Sequence, residues 1–286
     1  MGTVLQAIGG TPLVALQQIG KGLPHPILVK CEHLNPGGSV KDRIALAIID
    51  DAEQRGVLRP GATLIEATAG NTGVGLALVA AARGYKLVCV MPEKMSIDKR
   101  VALAAMGAKV MMTINAPPSS PDNFRNVARR LAEENGWFLT EQFRNPANVA
   151  VHERTTGAEI LAQCNGRVGA FVAGAGTGGT ISGVGRRLKA ALPGVKVVLA
   201  DPVGSGLADW VETGRIGAER VTDAESFAMV QQLVREEGLL VGGSAGTNVV
   251  AALRVAARGG LQGPVVTVLP DGWDRYRAKP WMQGWV

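Results

Sequence analysis

Short apolar runs alternate along the chain with longer segments in which apolar residues recur every three or four positions. The short runs are rich in β-branched residues, as strands are, and the longer segments have the period of helices. The predicted strands cover 27–31, 63–67, 86–91, 109–113, 171–173, 196–200 and 265–269. The predicted helices cover 40–55, 71–83, 96–107 with Ser96 as cap, 120–136 opened by Ser120 and Pro121, 180–191, 226–237 and 247–258.

This regular alternation favours parallel sheets that are covered by helices on both faces. A single sheet of this kind seldom needs so many strand–helix units, so we predict an α/β fold with two doubly wound domains. The period is weakest between Gly204 and Thr222, where glycines interrupt it. No internal repeat and no low-complexity tract is present.

The composition is that of a folded protein, with 286 residues, 47% hydrophobic and 19% charged. The net charge of +6 would suit nucleic acid, but the basic residues are scattered. Aromatic residues to stack on bases are few, with five Phe, five Trp and two Tyr. We therefore expect no nucleic-acid partner, and the modest positive charge suits a small anionic ligand equally well.

The three cysteines, Cys31, Cys89 and Cys164, are far apart and form no CxxC pair or Cys/His cluster. This spacing indicates neither a disulfide framework nor zinc, so we predict no metal site. The N-terminus has no signal-peptide pattern, and the apolar run at 74–82 is too short to cross a membrane. A cytoplasmic location is the expectation.

Four glycine-rich segments, 35–42, 67–73, 174–180 and 242–247, follow predicted strands or precede predicted helices. Ligands of open α/β sheets bind at the carboxyl ends of the strands, so these segments are the candidates for chemistry. The third contains GAGTGG, which satisfies GxGxxG and has Asp201 at the end of the next strand. A nicotinamide dinucleotide, a single phosphate and plain tight packing all remain open for this motif.

Lys41 stands where a Gly-Gly turn enters a helix, a position at which the helix dipole repels cations by about 0.3–1 kcal/mol. Two interpretations are open. Lys41 is a solvated lysine whose stem covers the core, or it is a lysine that forms a Schiff base and is activated by desolvation and positive potential.

Five segments together resemble a known family: NPGGSVKDRIA at 35–45, ATAGNTGVGLA at 67–77, GTGGT at 176–180, EGLLVGGSAGT at 237–247 and VLPDGWDRY at 268–276. They resemble the pyridoxal-phosphate-dependent cysteine synthases and cystathionine β-synthases. The resemblance implies fold type II, with pyridoxal 5′-phosphate in the cleft between two α/β domains, in a homodimer. The smaller, mobile domain would cover 35–146 and carry the substrate loop, and the larger would combine 1–34 with 147–286 and carry the phosphate loop.

The resemblance also implies roles for particular residues. Lys41 would hold the cofactor as a Schiff base, Asn71 would bond the ring hydroxyl, and Ser244 would face the pyridine nitrogen as a neutral donor. The phosphate would be bound by Gly176, Thr177, Gly178, Gly179 and Thr180. The substrate carboxylate would be received by Thr68, Ala69, Gly70 and Thr72, with Gln142 lining the same pocket.

The implied reaction is β-replacement on L-serine or O-acetyl-L-serine through an enzyme-bound aminoacrylate, to which a thiol or sulfide adds. Three segments, 201–205, 242–246 and the tail WMQGWV, are more similar to cystathionine β-synthases, which join serine to homocysteine, than to cysteine synthases. Cysteine synthase remains the alternative. A non-catalytic scaffold and a nicotinamide-dependent enzyme are more distant alternatives.

The chain departs from the family pattern in two places. Between Ser205 and Thr222 it is much shorter than family members, which carry a glycine-rich stretch lining the active-site entrance there. Either this wall is lost or the sequence omits a mobile loop. The second departure is at the ends of the sequence, where no haem-binding extension precedes residue 1 and no regulatory module follows Val286.

Overall fold

The computed structural model describes residues 2–68, 70–95, 97–208, 217–277 and 279–285. The strands are β1 (Leu13–Ala15), β2 (Ile27–Cys31), β3 (Thr63–Ala67), β4 (Lys86–Pro92), β5 (Lys109–Thr113), β6 (Phe138–Leu139), β7 (Ala170–Ala173), β8 (Lys196–Pro202), β9 (Gly217–Val221) and β10 (Val265–Leu269). The α-helices are α1 (Lys41–Gln54), α2 (Asn71–Arg83), α3 (Ile97–Ala105), α4 (Phe124–Asn135), α5 (Ala147–Val151), α6 (Gly157–Gln163), α7 (Gly179–Ala191), α8 (Asp223–Glu237) and α9 (Gly243–Ala257).

The described strands form two sheets. A four-stranded sheet has the order β5-β4-β3-β6 and is parallel throughout. A six-stranded sheet has the order β1-β2-β10-β7-β8-β9, and in it β1 pairs antiparallel with β2 at the edge. The prediction of purely parallel sheets is wrong at β1, because this three-residue strand was too short to show a pattern. The predicted α/β class of two doubly wound sheets is confirmed.

The contacts of the chain divide it into two compact units. The first unit contains Met1–Ile8 and Asn35–Asn148, and the second contains Gly9–Leu34 and Val149–Val286. The smaller domain predicted from the resemblance, at 35–146, stays a prediction. The grouping by contacts differs from that prediction in assigning Met1–Ile8 to the first unit and in ending that unit at Asn148.

The first unit has an apolar cluster on each face of its sheet. Successive residues of β4 alternate between the two clusters: Leu87 and Cys89 pack with α1, α2 and α3, while Val88 and Val90 pack with α4. Side chains alternate across a strand, so a strand that is apolar at every position is buried on both faces. The carboxyl end of β3 leads from this core directly into the predicted substrate loop.

The second unit is built in the same way. One cluster joins the sheet to α8 and α9, and the other joins it to α6 and α7. Val172 of β7 faces the first cluster and Phe171 faces the second. The loop after β7 leads into α7 and contains the predicted phosphate-binding glycines.

Three helices start three or four residues away from the predicted position. Helix α4 starts at Phe124, because the side chain of Asn123 accepts a hydrogen bond from the Arg125 backbone N–H at 3.1 Å and caps it. Helix α8 starts at Asp223 behind a capping box of Thr222 and Glu225. Helix α9 starts at Gly243, four residues ahead of Thr247, since glycines at its start hid the helical period.

Some segments carry structure that no pattern predicted. Residues 147–163 form α5, a π-helical turn at His152–Thr156 and α6. The end of the shortened segment forms β9, which pairs parallel with β8, while residues 209–216 of it lie outside the described part. The predicted cap Ser96 also lies outside the described residues. Within the described part of the chain, every helix is too short or too polar to cross a membrane.

Candidate active site

Lys41 is the first residue of α1 and is positioned by the turn that precedes it. Its backbone N–H donates to Ser39 Oγ at 3.2 Å. The buried carboxylate of Asp42 accepts the Gly37 N–H at 2.6 Å and closes the turn. A Cβ at Gly37 would lie 2.5 Å from Asp42 Oδ1, so any larger residue would displace the carboxylate that closes the turn. The sequence therefore fixes the direction in which the chain enters the helix at Lys41.

The first turn of α1 lies directly against α2. A Cβ at Gly75 would come within 2.9 Å of the Lys41 carbonyl oxygen and 3.1 Å of Ala45 Cβ. Asn71, the first residue of α2, is one helical turn before Gly75. The structure thus brings Lys41 and the predicted substrate loop to neighbouring helix starts in the first unit.

The substrate loop is held to the sheet at its first residue. The Thr68 N–H donates to the Val90 carbonyl oxygen at 3.0 Å, and Thr68 Oγ1 accepts the Gly70 N–H at 3.3 Å. Gly70 is the N-cap of α2, and its carbonyl oxygen accepts the Gly73 N–H at 3.0 Å. The predicted site residue Ala69 lies outside the described residues. The described part of the loop therefore forms a turn that leads into a helix N-terminus.

Gln142 joins this loop through a buried set of hydrogen bonds. Its Oε1 accepts the Thr72 hydroxyl at 2.6 Å, and its Nε2 donates to Glu66 Oε1 at 3.3 Å. The Thr140 hydroxyl donates to the other carboxylate oxygen of Glu66. All four of these side chains are at least nine-tenths buried. The prediction that Gln142 and Thr72 belong to one site stays a prediction, but their side chains are in direct contact.

In the second unit, residues 176–180 form the turn that opens α7. Gly178 is the N-cap and has φ of 80°, a left-handed conformation that favours glycine. The Gly179 N–H lies 3.4 Å from Thr177 Oγ1. The first turn of α7 has no acidic residue, so backbone N–H groups and hydroxyls are the polar groups at this helix start. Such a set of donors suits a phosphate.

His152 stands behind this turn, and no sequence pattern indicated it. Its imidazole is fully buried, with Nε2 at 3.2 Å from Thr180 Oγ1 and Nδ1 at 2.9 Å from Thr156 Oγ1. A Cβ at Gly183 would lie 2.7 Å from His152 Cβ, which shows how closely α7 packs on the π-helical turn. π-Helical turns are often found at functional sites. The imidazole therefore links the Thr180 hydroxyl to the buried Thr156 hydroxyl.

Ser244 lies exposed in the first turn of α9, whose start is held by the segment after β10. The Gly242 N–H donates to the Asp271 carbonyl oxygen at 3.0 Å, and the Tyr276 hydroxyl donates to Asp271 Oδ2 at 2.7 Å. Burial and the carboxylate of Asp271 raise the pKa of Tyr276, so this phenol stays protonated. The helix start that carries Ser244 is therefore fixed by a neutral tyrosine and a carboxylate.

Three other titratable side chains, Cys31, Cys89 and Asp201, are buried and take no part in the predicted site: two are protonated thiols and one binds a backbone N–H. Burial raises the pKa of Cys89 to about 12 and that of Cys31 to about 11, so both thiols stay protonated and inert at neutral pH. Asp201 is buried, and its carboxylate accepts the Ala208 N–H at 2.8 Å. In a dinucleotide site this carboxylate would instead bind a ribose hydroxyl.

The site residues fall into two sets, one in each unit. The first unit carries Lys41, Thr68, Gly70, Asn71, Thr72 and Gln142, and the second carries Gly176, Thr177, Gly178, Gly179, Thr180 and Ser244. Thr68 follows β3 and residues 176–180 follow β7, while Lys41, Asn71 and Ser244 lie in the first turns of α1, α2 and α9. Glu66 and His152, which the sequence analysis missed, each contact a predicted residue of the set in their own unit.

Comparison with known proteins gives one family and several relatives. Residues 4–216 match the family described as "Pyridoxal-phosphate dependent enzyme". The chain is 43% identical to the cystathionine beta-synthase of Apis mellifera, with 100% of this chain and 62% of that protein aligned. It is 44% identical to that of Oryctolagus cuniculus, with 99% of this chain and 57% of that protein aligned. The chain spans little more than half the length of these two relatives.

Other relatives match along nearly their whole length. A cysteine synthase of Staphylococcus aureus is 42% identical, with 97% of this chain and 96% of that enzyme aligned. The crystal structure of an O-ureido-L-serine synthase superposes with a TM-score of 0.91 at 37% identity, covering 100% of this chain and 96% of that one. The alignment with the Apis mellifera protein runs over 314 positions, so that protein has residues within the aligned span that this chain lacks.

Proposed function

The chain belongs to the family of pyridoxal-phosphate-dependent enzymes, and on this premise we propose that it catalyses β-replacement on L-serine or an O-substituted L-serine. The observation that carries the proposal is the arrangement of the first unit: Lys41 and the Thr68–Thr72 loop stand at packed helix starts, and Gln142 bonds to that loop. A lysine beside a carboxylate-binding loop is what chemistry at the α carbon of an amino acid needs. The family replaces the nicotinamide interpretation of the motif at 174–179.

The residues of the second unit fit the cofactor. Gly178, with its positive φ, and the first turn of α7 offer backbone N–H groups to a dianionic phosphate, and the Thr177 and Thr180 hydroxyls can add two donors. Ser244 can meet the pyridine nitrogen with a hydroxyl that carries no charge. When bound, pyridoxal phosphate supplies an electron sink for bonds at the α carbon of the substrate.

The proposed steps use three groups of this chain. Lys41 would hold the cofactor when it is bound, and the same amine would take the Cα proton of the substrate at Nζ as the β-substituent leaves. Backbone N–H groups at the start of α2 would receive the substrate carboxylate with help from Gln142, and Asn71 would bond the ring hydroxyl of the cofactor. A neutral Ser244, rather than a carboxylate, tempers the electron demand and favours β-elimination over transamination.

For the substrates, we propose L-serine with homocysteine, giving cystathionine. Support comes from the segments at 201–205 and 242–246 and from the similarity to cystathionine beta-synthases. The second candidate is cysteine synthesis from O-acetyl-L-serine and sulfide. It is favoured by a specific observation, since the Staphylococcus aureus cysteine synthase matches over 96% of its own length. A third candidate product is O-ureido-L-serine, the compound after which the solved relative is named.

A pair of titrations tests the donor and the acceptor. The visible absorption of the purified, cofactor-loaded protein is recorded while L-serine or O-acetyl-L-serine is added, and products are then assayed with homocysteine, sulfide or hydroxyurea. We expect the spectrum to change with L-serine and cystathionine to be the main product. Clear preference for O-acetyl-L-serine and sulfide would replace this assignment by cysteine synthase. A protein that no donor or acceptor affects would contradict β-replacement itself.

The phosphate-binding role gives a second prediction. We expect His152→Phe to weaken the binding of pyridoxal phosphate about tenfold, because the Thr180 hydroxyl loses the partner that orients it. The dissociation constant is measured by fluorescence titration of the apoprotein, so no turnover is required. Thr156→Val is the matched control. It removes only the hydroxyl that contacts His152 Nδ1, on the side of the ring away from Thr180, and should weaken binding by less. Equal affinity in His152→Phe and wild type would contradict the role of His152.

We further propose that the protein forms a homodimer, as the resemblance implies. We also propose a cytoplasmic location, which is the default for a sequence without a signal-peptide pattern. The molar mass in solution, measured by light scattering, tests the dimer.

A further inference from the structure

Glu66 stands directly behind the substrate loop. It is the fourth residue of β3, two residues before Thr68, and is 3% exposed. Its carboxylate accepts from the Thr140 hydroxyl, from the Gln142 backbone N–H at 3.4 Å and from Gln142 Nε2 at 3.3 Å. Burial and the nearby Glu141 carboxylate raise the pKa of Glu66, and these three hydrogen bonds oppose the rise. Burying a carboxylate costs free energy, and the three donors offset part of that cost.

The carboxylate fixes which way the Gln142 amide points. In the structure the amide turns its NH2 towards Glu66 Oε1, while the Gln142 backbone N–H, which can only donate, faces the other carboxylate oxygen. Its carbonyl oxygen then faces Thr72 and accepts the hydroxyl proton at 2.6 Å. Thr72 has one hydroxyl proton and gives it to Gln142, so the Thr72 oxygen is left as an acceptor. The NH2 of Gln142 has two N–H bonds and uses one of them on Glu66.

We propose that Glu66 is a positioning residue for the substrate carboxylate, because it holds Gln142 so that the second N–H of its amide is the donor offered to that carboxylate. Without Glu66 the amide can turn over and offer a carbonyl oxygen, which repels a carboxylate. The inference rests on the proposed function, since it takes Gln142 as a substrate contact. It assigns to Glu66 an effect that passes through Gln142 alone.

Glu66→Gln tests the orientation with little change in shape. The new side chain can keep its carbonyl oxygen towards Thr140 and the Gln142 backbone N–H, which places its NH2 opposite the NH2 of Gln142. Two donors cannot bond to each other, so the Gln142 amide turns over and gives its NH2 to Thr72. We expect the KM for the amino-acid donor substrate to rise about tenfold, with a smaller change in kcat.

A double-mutant cycle shows whether the effect passes through Gln142. Wild type, Glu66→Gln, Gln142→Ala and the double variant are compared by KM and kcat for the donor substrate at saturating acceptor. We expect Gln142→Ala to raise KM, and Glu66→Gln to change it by less than about twofold in that background, because coupled residues are not additive. Glu133→Gln, which removes an exposed carboxylate of α4 in the same unit, is the matched control and should leave KM unchanged.

Two outcomes would overturn the inference, and they differ. If Glu66→Gln raises KM by the same factor in both backgrounds, Glu66 acts independently of Gln142 and the inference fails alone. If Gln142→Ala itself leaves KM unchanged, the proposed substrate contact of Gln142 fails and takes the inference with it. Should Glu66→Gln lose stability, Thr140→Val removes one donor to Glu66 without changing the charge, and a KM increase that vanishes in Gln142→Ala would again support the inference.

Discussion

Lys41→Ala is expected to lower β-replacement turnover by about 10³-fold or more and to leave a folded protein without a visible absorption band after dialysis. The amine of Lys41 is proposed both to hold the cofactor and to move the Cα proton, and a positioned proton-transfer group alone contributes about 10²- to 10⁴-fold. The fold should survive because the bond from residue 41 to Ser39 uses the backbone, and alanine favours a helix start no less than lysine. Circular dichroism, visible absorption and steady-state turnover measure the three effects.

Two controls separate this loss from a loss of positive charge. Lys86→Ala removes an exposed lysine at the first residue of β4, in the same unit, and should keep both colour and turnover. Adding a small primary amine such as methylamine to Lys41→Ala should restore part of the turnover in proportion to its concentration, since an amine can then move the proton. Wild-type turnover in Lys41→Ala would refute the assignment.

The parts of the fold that were predictable are those whose residues repeat a pattern locally. β4 and β10 are apolar at nearly every position because both faces are buried, and that pattern is visible without the structure. The start of α9 was not predictable, because its first turn is rich in small residues and is fixed by Asp271, which lies far along the chain. The edge strand β1 is antiparallel and too short for any period to appear.

The candidate site divides in the same way. Residues in glycine-rich motifs, such as Lys41 and Gly178, carry a local signature, and resemblance to a family reaches them. Glu66 carried only a weak one: it is the single charged residue of β3. His152 carried none, because its meaning comes from Thr156 and Thr180, which the π-helical turn and α7 bring to its two ring nitrogens. Side chains that support a site through tertiary contacts are therefore found only in the structure.

The largest effect on stability is expected from Gly246→Ala. A Cβ at Gly246 would lie 1.9 Å from the Ser226 carbonyl oxygen and 3.0 Å from Val230 Cγ2, so α8 and α9 would have to move apart. Both helices are buried against the sheet of the second unit, and the Ser226 and Thr247 hydroxyls bond across their contact at 2.8 Å. Overpacking a core costs about 1–3 kcal/mol and at times more, and backbone cannot rotate away as a side chain can. We expect a loss of more than about 3 kcal/mol in the free energy of unfolding, measured by urea denaturation.

Gly194→Ala is the matched control for this substitution. A Cβ at Gly194 has no neighbour within 4 Å, so the same chemical change should alter the free energy of unfolding by less than about 0.5 kcal/mol. If Gly246→Ala fails to accumulate as soluble protein while Gly194→Ala does, the conclusion is the same. Equal denaturation midpoints for the two variants would mean that α8 and α9 separate at little cost. In that case the contact with α8 would contribute little to holding α9, and the hydrogen bonds around Asp271 would be what positions the first turn that carries Ser244.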